Sequence, residues 1–412
     1  MTLIKPFRGL RPAFGRAQEV AAPPYDVLSS SEARIRAEGK PYSFLHISKP
    51  EIDLPTDTDP YAPSVYAKAA ENLSAMLTAG VLVRDETPCY YAYRLSMPTT
   101  SGLHVQNGLV AAASVAEYDT NRIRKHEYTR PDKEDDRVRQ IEALNAQTGP
   151  VLLAYPESAS ADALIAAITT NAADADLTAD DGIRHEIWVL SDEAKCAAIT
   201  RAFEGMAALY IADGHHRSAA ASRVAAARRQ HGHELASDYF LTVIFPHHQM
   251  KILDYNRVVK DLNGLDQLVL VTRCQEAFNV EKCATRVQPS KAGEFGMYCG
   301  GQWYKLTIKP ELIPNDPVAS LDVSLLSDHL LAPILDITDL RTNKRIDFVG
   351  GIRGLSELEK RVDSGEMAAA FALHATSMTQ LMNVADSNNV MPPKSTWFEP
   401  KLADGLVSHV LD

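Results

Sequence analysis

Residues 210–224 read YIADGHHRSAAASRV: an apolar run, a knot of polar residues around a glycine, then an alanine-rich stretch. The run MAALYIA before Asp213 predicts a buried strand. SAAASRVAAARRQ, residues 218–230, predicts a helix, because Ala has the best helix propensity. Asp213, Gly214, His215, His216 and Arg217 then fall at a strand-to-helix turn, where Gly214 gives the backbone the freedom a sharp bend needs. The first N–H groups of a helix lack intrahelical partners and its N-terminal dipole end is positive, so such a turn suits an anion. Arg217 adds a planar fork of donors for phosphate or carboxylate, and the two imidazoles add more. Asp213 at the strand end can hold a metal, orient a histidine or act as a base; as plain structure it would cap the helix. Neighbouring histidines diverge on a helix and no HExxH spacing is present, which weighs against a transition-metal site.

Outward from this turn, helices and strands alternate. DRVRQIEALNAQ (136–147), ADALIAAITTNA (161–172) and DEAKCAAITRAFEG (192–205) predict helices, and PVLLAYP (150–156) and IRHEIWVLS (183–191) predict strands. CYYAYRLSM and GLVAAASVAEY, separated by PTTSG, predict a hairpin, and YFLTVIF with MKILDYNRVV a second one around PHHQ. A helix is expected at about 62–79, and the acidic stretch 170–182 reads as a surface loop. The first 60 residues carry many prolines, which block ladder donors and push neighbours away from helix, so extended segments are expected there. Beyond 261 the pattern predicts helices near 264–278, 321–332 and 354–364, and strands near 301–308, 345–349 and 368–374. The fold class is mixed α/β. Three regions are expected: an N-terminal α+β region at 1–135, a core carrying DGHHR at 136–260, and a C-terminal α+β region at 261–412.

The 412 residues carry a formal net charge of -11. That balance disfavours a long nucleic-acid footprint, which needs clustered Lys and Arg, but leaves room for a local pocket for a small anion. The five cysteines are odd in number and without a CxxC pair, so neither a zinc knuckle nor a disulfide framework is expected. The start MTLIKPFRGL has no apolar signal region and no run of about 18 apolar residues occurs, so a cytoplasmic protein without membrane contact is expected. Oligomeric state is not legible.

Other polar clusters qualify as site candidates. KHEYTRPDKEDDR, residues 125–137, gathers His126, Glu127, Thr129, Arg130, Lys133 and Arg137: a carboxylate for base work and cations for phosphate, or simply a solvated helix start. PPYDV, residues 23–27, is a rigid turn presenting Tyr25 and Asp26, whose carboxylate suits a substrate amine or Mg²⁺. Asn256 and Arg257 lie on a predicted strand. Lys394, Ser395 and Thr396, stiffened by Pro392 and Pro393, suit a phosphate or carboxylate but lack the glycines of a Walker loop.

DGHHR after a strand resembles the G-x-H-R signature of the ParB/sulfiredoxin-like superfamily, in which it contacts nucleotide phosphates. Sulfiredoxin needs a cysteine where this chain has His215, so that activity is not implied. PPYDV, KHEYTRPDKEDDR, IADGHHR, YNRVV and MPPKSTWFEPK, in this order, are similar to a bacterial domain-of-unknown-function family, family ten-fifteen. The resemblance implies a ParB-like core and, because some relatives phosphorylate free L-serine, a small-molecule kinase making O-phosphoserine. A non-catalytic nucleotide sensor is the alternative. With the resemblance, the expected catalytic residues are Glu127, Asp213 and His216. Gly214, His215, Arg217, His126 and Arg137 are expected at phosphate; Tyr25, Asp26, Asn256, Arg257, Lys394, Ser395 and Thr396 at the substrate. Mg²⁺ is expected at Asp213, with ATP, ADP or pyrophosphate as donor.

Overall fold

The computed structural model describes residues 2–229 and 233–412. The chain divides into two compact units, residues 1–250 with 400–412, and residues 251–399. This division differs from the three expected regions, because strands from both sides of residue 135 pair in one sheet.

That sheet contains β1 (Tyr90–Thr99), β2 (Gly102–Ser114), β3 (Ile123–Arg124), β4 (Val151–Tyr155), β5 (Ala175–Thr178), β6 (Arg184–Leu190), β7 (Leu209–Asp213) and β8 (Tyr239–Pro246). Their order is β3-β7-β4-β8-β2-β1-β6-β5, and the short strand Ile4–Lys5 pairs with β2 off this path. β3 runs parallel to β7, and β4 parallel to β8; the other pairs are antiparallel. The sheet is mixed, as the alternating pattern predicts. The hairpin expected around PTTSG is the β1–β2 pair. Leu109, Leu153, Ile211, Phe240 and Ile244 from four neighbouring strands share one core with Ile199 and Phe203. That removal of apolar surface from water is what holds the sheet and its helices together.

Three helices matter for the site: α1 (Pro63–Thr78), α2 (Pro131–Leu144) and α3 (His215–Arg228). The helix expected over 218–230 begins three residues earlier; its last expected residue, Gln230, lies outside the described residues. Ala220 and Val224 of α3 pack with Ile141 and Val138 of α2, so the alanines let the two helices approach closely.

Several local expectations fail for physical reasons. The first 60 residues hold the expected short strands, Ile4–Lys5 and Gly9–Pro12, but also short helices such as Ser30–Ala37, where Ser29 and Glu32 complete a reciprocal capping box that outweighs the nearby prolines. The stretch 170–182 is not all loop: β5 pairs along β6. β8 does not form a hairpin with MKILDYNRVV; both its edges are already taken, by β2 and β4.

In the second unit lie β9 (Tyr255–Val259), β10 (Phe278–Cys283), β11 (Glu294–Cys299), β12 (Gln302–Ile308), β13 (Ile346–Gly350) and β14 (Ala369–Leu373). They form an antiparallel sheet in the order β10-β12-β11-β14-β9-β13. Lys251–Leu253 pairs with Trp397–Glu399. No helix among the described residues is long and apolar enough to cross a membrane.

Candidate functional site

β3 and β7 are parallel neighbours, with Leu209 opposite Ile123 and Tyr210 opposite Arg124. Their chains therefore leave the sheet at the same end, one as Lys125–His126–Glu127 and the other as Asp213–Gly214–His215. Two clusters far apart in sequence are brought together by this pairing alone. Gly214 has φ of +99°, and a Cβ there would sit 3.1 Å from Arg217 Nε and 3.3 Å from Val151 Cα. Glycine is required by both the backbone angle and the space.

Arg217, one turn into α3, folds back over the end of β7. Its guanidinium donates to the Pro150 carbonyl. Nη2 lies 3.6 Å from Asp26 Oδ2 and 3.6 Å from Asp213 Oδ2, ion pairs too long to be hydrogen bonds. Both carboxylates are about two-fifths exposed, whereas the arginine side chain is 10 % exposed. Burial alone would raise the Asp213 pKa, but Arg217 and Lys401, whose Nζ is 4.0 Å away, outweigh it and hold it below the ordinary carboxylate range. Burial works against the charge on Arg217; Asp26 and Asp213 overcome it and raise its pKa.

Tyr25 and Asp26 reach this place because Ala22 exchanges backbone hydrogen bonds with Asp404. Arg137, on α2, stacks over the Tyr25 ring at 4.0 Å and is tied down by two hydrogen bonds to Asp136 Oδ2. Asp136 in turn accepts from the Tyr66 hydroxyl of α1. Tyr25, Arg137, Gln140, Thr148, Arg217 and Asp404 line one narrow cavity. Asp404, buried, is pushed up to about 7, chiefly by burial, against the pull of Arg217.

The histidines occupy separate positions. His216 is half-buried and accepts the Arg130 N–H at Nε2, 3.1 Å, so α2's start is anchored to α3; burial lowers its pKa. His215 and His126 are buried and pack edge to face, ring centroids 4.5 Å apart. Burial takes His126 down to about 4, and burial together with the neighbouring His126, His216 and Arg217 takes His215 well below its usual value. Both imidazoles are neutral at pH 7. Glu127, exposed, places Oε2 3.7 Å from His215 Nδ1.

The structure thus brings together Tyr25, Asp26, His126, Glu127, Arg137 and residues 213–217. Asn256, Arg257, Lys394, Ser395 and Thr396 belong to the second unit. There Asn256 is buried, donating to Asp254 and accepting from the Leu373 N–H. Arg257 is fully buried; its guanidinium donates to the carbonyls of Tyr255 and Lys394, and burial pulls its pKa down to about 10. Lys394 is exposed at φ +60°. The Ser395 hydroxyl is taken by the Pro392 carbonyl, while Thr396 is half-buried. These polar groups hold the 391–396 segment on β9, a structural task the sequence does not announce. Conversely, Asp404 and Lys401 were not foreseen; the sequence signal at Asp404, the Asp404–Gly405 pair with Gly405 at φ +87°, reads as an ordinary turn.

The chain belongs to a family described as protein of unknown function (DUF1015), whose model matches residues 4–324. No protein of curated function matches it. Among solved structures it is similar to a free serine kinase in complex with AMP, with 13% identity, a TM-score of 0.36, and coverage of 71% of this chain and 86% of the other. It is similar also to a conserved hypothetical protein from Pyrococcus furiosus, at 16% identity and a TM-score of 0.36, covering 72% and 93%. A C-terminally truncated SbnI from Staphylococcus aureus is similar at 11% identity and a TM-score of 0.31, covering 72% and 85%.

Proposed function

We propose that the protein is a phosphotransferase that makes O-phosphoserine from free L-serine, using the strand-end site around Arg217. The observation that carries this reading is the Asp26–Arg217–Asp213 arrangement, a cation between two half-exposed carboxylates at the N-terminus of α3. Phosphoryl transfer asks for little covalent chemistry from a protein: it needs cations across the phosphates and a carboxylate at the acceptor hydroxyl, held in place beforehand. The N-terminal N–H groups of α3, with Arg217 and Arg137, meet the phosphates. Asp213 accepts the serine hydroxyl proton as the Oγ–P bond forms and the P–O bond to the departing nucleotide or phosphate breaks. Asp26 faces the substrate ammonium. His216 orients the loop through Arg130.

The oxygens of Asp26 and Asp213 also fit the preference of Mg²⁺ for hard carboxylate ligands, and a bound Mg²⁺ would neutralise phosphate charge. The serine acceptor is taken from the family resemblance. The test is direct: the full chain with L-serine, Mg²⁺ and, in turn, ATP, ADP or pyrophosphate, read by phosphorus NMR. The reading predicts O-phosphoserine with at least one donor. Its absence with all three ends the reading and leaves the nucleotide sensor.

A further inference from the structure

We propose that His126, Glu127 and His215 form a binding site for a divalent transition-metal ion, separate from the carboxylate pair at Arg217. One nitrogen or oxygen from each of the three lies within 4.8 Å of those of the other two.

Two observations carry this. First, His126 is 2% exposed, and its Nδ1 is buried with no hydrogen-bond partner. A buried polar atom left unpaired is costly, and native proteins rarely tolerate one without a reason. The ring also meets the Ile211 backbone, and ligating histidines commonly use such a backbone contact to fix their tautomer. Second, the 3.7 Å between Glu127 Oε2 and His215 Nδ1 is too long for a hydrogen bond. It matches the separation of about 3–4 Å between two ligand atoms that each sit roughly 2.0–2.2 Å from one metal.

Neighbouring histidines do diverge, as expected for a helix start: His216 turns to Arg130. The second imidazole is supplied instead by the chain leaving β3, which no local spacing in the sequence reveals. Two imidazoles and a carboxylate suit Zn²⁺, Mn²⁺, Fe²⁺ or Co²⁺ better than Mg²⁺. Ligation through His215 Nδ1 puts the ring hydrogen on Nε2. The contact from the His126 N–H to that nitrogen, already 3.4 Å, is then given up. Glu127 is exposed, so the site opens to solvent on the carboxylate side.

The test uses Co²⁺ with the metal-stripped full chain, read by visible ligand-field absorption and by metal analysis after gel filtration, and is independent of any phosphoserine assay. One bound equivalent with a histidine-type spectrum is expected. Glu127→Gln and His126→Gln should each weaken binding by more than the roughly 10–100-fold that loss of an outer-shell partner costs. Glu127 is exposed, so its variant folds; melting curves establish whether the His126 variant does. His216→Gln and Asp213→Asn should retain the spectrum. No bound Co²⁺, binding unchanged in Glu127→Gln, or binding lost in Asp213→Asn but kept in Glu127→Gln each overturns the proposal.

Discussion

Nη2 of Arg217 lies 3.6 Å from the carboxylate of Asp213, four residues earlier in the chain and across the strand-to-helix turn. The turn therefore holds a cation and an anion side by side at the end of β7, with the carboxylate about two-fifths exposed. Gly214 makes this possible, since its φ of +99° lets the first turn of α3 fold the arginine back over the strand.

Gly214→Ala should accordingly be expensive. It places a side chain in the left-handed region and against Val151 and Arg217. We expect a loss of about 1–3 kcal/mol, the range for a non-glycine residue held in such a conformation. Urea unfolding measures it, and an unchanged midpoint would mean that the turn relaxes without strain.

Asp404 gives a pH dependence with a definite sign. Its folded-state pKa of about 7 lies above the ordinary carboxylate value near about 3.9. Between these pH values the folded chain binds more protons than the unfolded one. Stability from this group is therefore full below about pH 4 and is lost as pH rises through about 7. Asp404→Asn cannot titrate, so its melting temperature should gain on wild type from pH 5 to pH 8. A constant gap across that range would show that Asp404 ionises normally.

Arg257 should behave as a structural residue. Arg257→Lys keeps a charge but cannot reach both the Tyr255 and Lys394 carbonyls. A loss of about 1–3 kcal/mol is expected from the buried groups left unpaired. Thermal melting checks it; a variant as stable as wild type would contradict the structural role.

Periodicity made most of the first sheet legible: the strands at 150–156, 183–191 and 206–213 and the helix after DGHHR follow from apolar runs and alanine content. Pairing partners are a different matter. β8 and MKILDYNRVV look like a hairpin because they are adjacent in sequence, yet β8 fills both of its edges with β2 and β4. Residues 213–217 were legible as a candidate site because their chemistry is concentrated in one short stretch. The meeting of His126 with His215 was not, because it depends on β3 lying beside β7. The burial of Arg257 and its grip on the Tyr255 and Lys394 carbonyls were not legible either, because both depend on how the 391–396 segment packs on β9.

The most direct measurement is the rate of O-phosphoserine formation by wild type, Arg217→Lys and Asp213→Asn, each with a melting curve. Arg217→Lys keeps the charge but loses the two-pronged donor, and turnover should fall about 10²–10³-fold, as for loss of one transition-state donor. Asp213→Asn should lose turnover at least as severely, with only a modest fall in melting temperature from the lost charge beside Arg217. Wild-type turnover in both variants would contradict the assignment of phosphoryl transfer to the end of β7.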